Sequence, residues 1–311
     1  MIAATPEAAK SIITSPFFLG SKLLLAILFL GPIALWLPLP QYLGEPRPIQ
    51  ITAHRGHARV APENTLSAIQ QAIESRADYA EIDVQLTADD VVVLLHDRDL
   101  KRVTGDSRPL AELTYDELSQ LDVGSWFSQE FAGERIPTLK ETMELSRGQI
   151  KLNIELKFYG PDRRLTAKVA ELIREEAFES DCIVTSLSYD ACVEVKRLHP
   201  EVRTGLIVAH ALGNLSRLEV DILSVRADFL TADILKTARK TEREVHVWTV
   251  NQPRLMVEMM MRGVDNVLTS DPDLGVRVRD EWQEMLAAER LLLAARLLMG
   301  LSIPPPPEWT G

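Results

Sequence analysis

The sequence predicts an α/β protein: a (β/α)8 TIM barrel with an insertion after its second strand, preceded by one transmembrane helix. Three observations lead there. Between about residues 49 and 275, short runs rich in Val, Ile and Leu alternate with segments of helical period, the pattern of parallel strands covered by helices. Eight such runs over about 225 residues suit a closed eight-stranded barrel. An open doubly wound sheet would favour a glycine-rich phosphate loop after its first strand, and no GxGxxG or GxxxxGKS/T occurs.

Taken in order, residues 1–16 form a short tail. Residues 17–43, "FFLGSKLLLAILFLGPIALWLPLPQYL", carry one charge, Lys22. The stretch from Leu23 to Leu39 is almost wholly apolar, long enough for a bilayer-spanning helix, and membrane helices tolerate a kink like Gly31-Pro32. A cleaved signal peptide is the competing reading, but no A-x-A-like site follows the run. A soluble buried helix fits poorly, because the segment is apolar all round. A single-pass membrane anchor is therefore expected. Lys10 and Lys22 lie on one side of it and Arg47, Arg55 and Arg59 on the other, so the positive-inside rule does not choose the side of the membrane that the barrel faces, extracytoplasmic or cytoplasmic. "GEPRP", 44–48, reads as a linker.

The barrel is expected over 49–275, with strands at 49–53, 79–87, 151–156, 182–186, 203–208, 228–230, 245–250 and 266–269. Helical patterns fall at 65–75, 165–176, 190–199 and 253–262. Residues 97–136 are too long for a simple loop and hold a helical piece, "TYDELSQL", and the aromatic "GSWFSQEF". A structured insertion of that length at a strand end is usually functional or lid-like. Residues 276–311 read as an amphipathic helix with a Pro-rich end, able to pack on the barrel or a partner, or to lie against a membrane.

Composition narrows the function. The 311 residues carry a net charge of -11, with 34 Lys and Arg against 45 Asp and Glu. Nucleic-acid binding is disfavoured, since phosphate backbones demand clustered cations. Cys182 and Cys192 have neither CxxC nor zinc-like spacing and read as buried free thiols.

The chemistry concentrates in five pieces: "AHRG", "APENT", "EIDVQLT", "LLHD" and "NIELK". Glu81 and Asp83 stand at i and i+2 on a strand, so they share a face. Glu155 adds a third carboxylate on the next barrel strand, about 4.8 Å away. Three convergent carboxylates suit a hard divalent cation, Ca²⁺ or Mg²⁺; the plainer alternative is a salt bridge from Lys157 to Glu155 or Glu81. His54 and His96 each close an apolar run, "IQITAH" and "VVVLLH", where barrel active sites lie, and histidine serves as acid or base near neutral pH. His57, His199, His210 and His246 lack that support, with a minor substrate contact open for His57. Arg55 brings a fork suited to phosphate, and Lys157 a second positive charge. Glu63 and Asn64 open a helix, where Asn64 can cap and Glu63 can orient Arg55 or a histidine. Together these describe phosphoryl chemistry better than acyl transfer, for which no GxSxG elbow is present.

The ordered set "AHRGHARVAPENTLSAI", "YAEIDVQLTADDVVVLLHDRDLKRVTG", "GSWFSQEFAGERIPTLKE", "LNIELK", "VHVWTVN" and "VDNVLTSDP" resembles the glycerophosphodiester phosphodiesterases over roughly residues 49–275. The resemblance implies a TIM barrel whose insertion partly covers the site. It implies a divalent cation held by Glu81, Asp83 and Glu155, an acid–base pair of His54 and His96, and phosphate binding by Arg55. It places Lys157 and Glu63 in the same pocket, with Trp248 and Asn251 lining the substrate. The expected reaction is metal-dependent hydrolysis of a diester such as glycerophosphocholine to glycerol 3-phosphate and an alcohol. A lysophospholipase D acting on membrane lipids, or a non-catalytic barrel binding phosphate esters, are the alternatives. Two departures stand out: His57, where a small residue is commoner, and "KRVTG" in place of an R-T-T-x-G pattern, both outside the metal and acid–base set.

Overall fold

The computed structural model describes residues 48–160, 163–209 and 215–298. The apolar run 17–43, the expected anchor, lies outside them, as do the first 16 residues, His210 and the Pro-rich end. Among the described residues no helix is long and apolar enough to cross a membrane.

Among the described residues nine strands form one sheet: β1 (Gln50–Ala53), β2 (Tyr79–Leu86), β3 (Val92–Leu94), β4 (Lys151–Leu156), β5 (Cys182–Ser186), β6 (Arg203–Val208), β7 (Ile222–Arg226), β8 (Glu244–Trp248) and β9 (Asn266–Thr269). All but β3 are parallel, and β1 pairs with both β9 and β2, which closes an eight-stranded barrel. The helices around it are α1 (Leu66–Glu74), then α2 (Lys101–Thr104) and α3 (Tyr115–Leu118) in the insertion, α4 (Leu139–Ser146), α5 (Arg164–Glu175), α6 (Tyr189–Leu198), α7 (Ala232–Lys240), α8 (Pro253–Arg262), α9 (Pro272–Glu284) and α10 (Ala287–Leu298).

Alternation along each strand divides outside from inside. On β2, Ala80, Ile82 and Val84 join the apolar layer beneath the helices, while Glu81, Asp83 and Gln85 point the other way and are equally buried. Towards the mouth the barrel interior is correspondingly polar, while Tyr79, Ile183 and Ile222 pack together nearer the strand starts. Thr52 donates to Asn266 Oδ1 (2.8 Å) and Thr185 to Asn153 Oδ1 (2.9 Å), whereas Asn266 Nδ2 is buried with no hydrogen-bond partner among the described residues. His246 sits inside as well, 3.1 Å from Glu244, and His199 pairs with Glu179 on the outside. Cys182 and Cys192 are free and buried, and burial pushes both thiols up to about 12.

Three expectations are corrected. The strand placed at 228–230 is β7, Ile222–Arg226, and residues Ala227–Phe229 make a single 3-10 turn. The β-favouring run there is "DILSV", and Arg226 ends it by pairing with Asp228 at 2.5 Å. The helix read in "TYDELSQL" is only one turn, α3, closed at its start by a Thr114–Glu117 capping box. The run "VVVLL" is a ninth strand outside the barrel. It folds back antiparallel on β2 after a turn in which Thr87 accepts from the Val91 N–H (2.8 Å) and Asp90 takes φ +65°. The insertion beyond it has its own core of Leu100, Val103, Leu110, Leu113, Leu118, Val123 and Ile136.

The chain past residue 275 continues the barrel. α9 presents Val276, Val278 and Trp282 to the same core cluster as β1 and β9, and Ala294 of α10 joins it.

Candidate active site

β1 stops at Ala53, whereas β2 runs on to Leu86. The space beside the upper part of β2 is taken by the loop after β1 and by β3. His54 donates its N–H to Thr269 O (2.8 Å). Arg55 turns the chain at φ +54°, and its N–H donates to Glu81 Oε2 (2.8 Å). Gly56 at φ +75° then donates to Glu81 O (3.0 Å). A Cβ at Gly56 would stand 2.7 Å from the Ala68 carbonyl carbon, inside α1, so only glycine allows the loop to lie on that helix. Gly56→Ala is expected to destabilise the fold by about 2 kcal/mol, combining positive φ with the clash. Urea unfolding measures it, and an unchanged midpoint would show the loop free to move off α1.

The expected cap is corrected as well. Thr65, not Asn64, caps α1, accepting from the Ala68 N–H. Asn64, at φ +56°, instead clamps Asp83: its Nδ2 donates to Asp83 Oδ2 (2.9 Å) and its Oδ1 accepts the Asp83 N–H (3.0 Å).

His96 arrives from β3 rather than from a barrel strand. Pairing of Val84 with Leu94, and the Leu95 N–H on Asp83 O (3.0 Å), bring it level with the carboxylates. Gln85 holds that segment by donating to Leu95 O and Asp97 O, both at 2.7 Å, and the Tyr159 hydroxyl donates to His96 O. The His96 Nδ1 lies 2.7 Å from Asp97 Oδ1. A carboxylate only accepts, so Nδ1 carries the hydrogen and Nε2 is left for exchange.

A cavity of about 310 Å³ opens at the C-terminal ends of the strands. His54, Arg55, Glu81, His96, Glu155, Lys157 and Trp248 all line it. Leu187, Ile207, Ala209 and Leu268 make an apolar wall. Trp248 is fixed by its indole N–H on Ser224 O (3.0 Å). Asp83 is buried behind this surface, and Glu63 stands behind Arg55, accepting its Nη1 at 2.8 Å. Asn251 is outside the lining: it accepts from Thr269 Oγ1 and the Ser270 N–H, and Ser270 Oγ approaches His54 Nδ1 at 3.3 Å. His57 has a structural place. It is buried, its Nε2 lies 3.1 Å from Asp273 on α9, and its N–H donates to Ala68 O.

One ligand oxygen from each of Glu81, Asp83 and Glu155 can be chosen so that all three lie within 4.8 Å of one another. Lys157 Nζ is 2.7 Å from Glu155 Oε1 and 3.1 Å from Asp83 Oδ1, and Arg55 Nε is 3.3 Å from Asp83 Oδ2. The two Asp83 contacts are ion pairs without hydrogen-bond geometry, since Asp83 Oδ1 and Arg55 Nε have no hydrogen-bond partner. The salt-bridge alternative is thus present for Glu155, but Glu81 receives only a backbone N–H. Burial, then the Asp83 and Glu155 charges, push Glu81 well above the usual carboxylate range. Burial and Asp83 likewise raise Glu155 to about 7. Burial also opposes the charge on Asp83, yet Lys157 and Arg55 hold its pKa below the ordinary value. Burial, helped by Arg55, lowers His54 to about 4, so its ring is neutral at neutral pH.

The all-oxygen donor set and the buried Asp83 Oδ1 fit a hard divalent cation. Sequence reasoning missed Gln85, although it continues the i, i+2, i+4 face of Glu81 and Asp83. It also missed Ser270 and the clamp by Asn64.

Comparison with known proteins agrees with this geometry. Residues 54–274 match the model of the glycerophosphoryl diester phosphodiesterase family. A glycerophosphodiester phosphodiesterase of Caldanaerobacter subterraneus subsp. tengcongensis is 33% identical over 233 residues, 72% of this chain and 94% of that protein. Among solved structures, an Oleispira antarctica phosphodiesterase in complex with the product sn-glycerol-3-phosphate is 30% identical with a TM-score of 0.70, over 78% of this chain and 99% of that one. The Agrobacterium tumefaciens glycerophosphodiester phosphodiesterase is 29% identical with a TM-score of 0.65, over 74% and 99%. This chain belongs to the glycerophosphoryl diester phosphodiesterase family and is a phosphoric diester hydrolase.

Proposed function

We propose that the chain hydrolyses glycerophosphodiesters, such as glycerophosphocholine or glycerophosphoethanolamine, to glycerol 3-phosphate and an alcohol. The observation that carries this is the convergence of His54, His96, Arg55, Lys157 and two of the three clustered carboxylates on one cavity of about 310 Å³. The Oleispira relative holding sn-glycerol-3-phosphate supports the product. Glu81, Asp83 and Glu155 would hold Ca²⁺ or Mg²⁺, which when bound neutralises phosphate charge and stabilises charge growing on its oxygens.

The chain's own residues divide the rest. Arg55 and Lys157 receive the anionic phosphate, and Trp248 borders the glycerol or leaving group. His54, neutral because burial lowers it to about 4, takes a proton from water, or from the neighbouring glycerol hydroxyl, whose attack would give a cyclic diester that water then opens to glycerol 3-phosphate. His96, entering this step with a proton on each ring nitrogen and its Nδ1–H held by Asp97, delivers the Nε2 proton to the departing alcohol and is left neutral. Release of glycerol 3-phosphate from a panel of diesters, with Ca²⁺ or Mg²⁺ supplied, tests the reading; no release from any diester would sink it.

Lysophospholipids are the second reading. The wall of Leu187, Ile207, Ala209 and Leu268, with Leu187 60% exposed, favours it. Turnover of lysophosphatidylcholine without turnover of glycerophosphocholine would make it the first. The run 17–43 supports membrane attachment, which fractionation of the full chain checks; recovery in the soluble fraction would remove it.

Protons and cation should compete. Glu155, raised to about 7, and Glu81, raised well above its ordinary range, bind protons that a cation must displace. Cation affinity therefore falls as pH drops below about 7, and the acid limb of activity moves to lower pH as the cation concentration rises. An acid limb independent of cation concentration would exclude competition at these carboxylates.

A further inference from the structure

"KRVTG" read as lying apart from the chemistry, yet its arginine spans it. Arg102 lies on α2, at the start of the insertion. Its Nε donates to Asp97 Oδ2 (2.7 Å), its Nη1 to Glu63 Oε2 (3.0 Å) and its Nη2 to Glu63 Oε1 (2.8 Å). The guanidinium carbon stands 5.6 Å from the centre of the Trp126 ring, also of the insertion. Each carboxylate holds a residue of the cavity with its remaining capacity: Glu63 Oε1 accepts Arg55 Nη1 (2.8 Å), and Asp97 Oδ1 bonds His96 Nδ1 (2.7 Å). Arg102 itself does not line the cavity.

The arrangement prevents two competing geometries. With both Glu63 oxygens engaged by Arg102, Glu63 does not close on Arg55 as a two-pronged pair and draw it from the cavity. With Asp97 Oδ2 engaged, the carboxylate is held in one rotamer, with Oδ1 on the imidazole. A planar fork with separate donors meets both carboxylates at once, which a lysine ammonium does not.

We propose that Arg102 is a positioning residue: by fixing Glu63 and Asp97 together it keeps Arg55 aimed at the phosphate and His96 presenting Nε2 to the leaving group. The inference rests on the diester-hydrolase reading above. It makes the insertion part of the reaction apparatus, because seating the insertion sets both side chains. A second contact seats the insertion on the barrel: Ser67 on α1 donates its hydroxyl to Glu134 at 2.6 Å.

The test uses the full chain carrying Arg102→Gln, Arg102→Lys, Asp97→Asn, or Asp97→Asn with Arg102→Gln. Three quantities are read: kcat and KM for glycerophosphocholine with cation supplied, Kd for inorganic phosphate by calorimetry, and melting temperature. Arg102→Gln should lower kcat about 10- to 100-fold, as loss of an outer partner of a site does. It should weaken phosphate binding by about tenfold through Arg55. Melting should hardly move, because the pairs are solvent-accessible and such pairs contribute little stability. Arg102→Lys should recover only part of kcat. In the Asp97→Asn background the further loss in kcat should shrink, the sign of a shared route. A kcat within about threefold of wild type, full rescue by lysine, or a loss undiminished in the Asp97→Asn background would each overturn the proposal. If wild type releases glycerol 3-phosphate from no diester, the functional reading fails by itself. Phosphate affinity then decides for Arg102: weaker binding by Arg102→Gln upholds it, and an unchanged Kd overturns it.

Discussion

A His54→Ala variant is expected to release glycerol 3-phosphate between about a hundredfold and ten-thousandfold more slowly than wild type, the span that a positioned acid or base contributes. The loss should fall on kcat, since Arg55 and Lys157, which receive the diester, and the carboxylates that would hold the cation all remain. His96→Ala should cost a similar factor by removing the other proton carrier. The two are distinguishable by leaving group. A diester whose alcohol departs without protonation, such as a nitrophenyl ester, should recover much of the rate in the variant that lacks the acid and none in the variant that lacks the base. The lowered pKa of His54, about 4, suits it to accept the proton and leaves the acid role to His96, which assigns recovery to His96→Ala. Recovery in His54→Ala instead would exchange the two roles. Retention of more than about a tenth of the wild-type rate in either variant would remove that histidine from the chemistry.

The parts of this site that were legible in the sequence are those governed by strand periodicity. Glu81, Asp83 and Gln85 share a face because side chains alternate, and Glu155 joins them because β4 pairs with β2, with Asp83 opposite Glu155 in register. His54 follows from the end of β1. The parts that were not legible depend on backbone turns that periodicity does not encode. Asn64 looked like a helix cap because it precedes an apolar helical pattern. The structure turns the chain there at φ +56° and gives the cap to Thr65, freeing Asn64 for Asp83. "VVVLLH" looked like an approach to a barrel-strand end, whereas β3 runs the opposite way and hands His96 down beside β2. β7 was displaced because "RADFL" has the composition of a strand but closes as a 3-10 turn. Arg102 was undetectable in principle from spacing, since its partners Glu63 and Asp97 are 39 and 5 residues away.

The carboxylate cluster yields the sharpest contrast in stability. Glu81→Gln and Asp83→Asn should each lower cation-supported activity by more than about a hundredfold, since loss of even an outer partner of a metal ligand costs up to that much. Their effects on folding should diverge. Asp83 is buried between Lys157 and Arg55, and neutralising it leaves Lys157 only Glu155 and Arg55 only Glu63 as charged partners; loss of the buried carboxylate charge they share costs about 3 kcal/mol. Glu81 has no cationic side chain bonded to it, and its charge is opposed by burial and by its two carboxylate neighbours. Gln keeps its size and can still accept the Arg55 N–H, so Glu81→Gln should leave stability at neutral pH unchanged or raised. Urea unfolding without added cation, set beside unfolding in excess Ca²⁺ or Mg²⁺, reads both effects. Wild type should gain stability from the cation because only the folded chain assembles the cluster, and both variants should lose most of that gain. Equal destabilisation by the two substitutions without cation would mean that Glu81 is ionised and paired. The division of the cluster into two compensated carboxylates and one awaiting a cation would then be wrong.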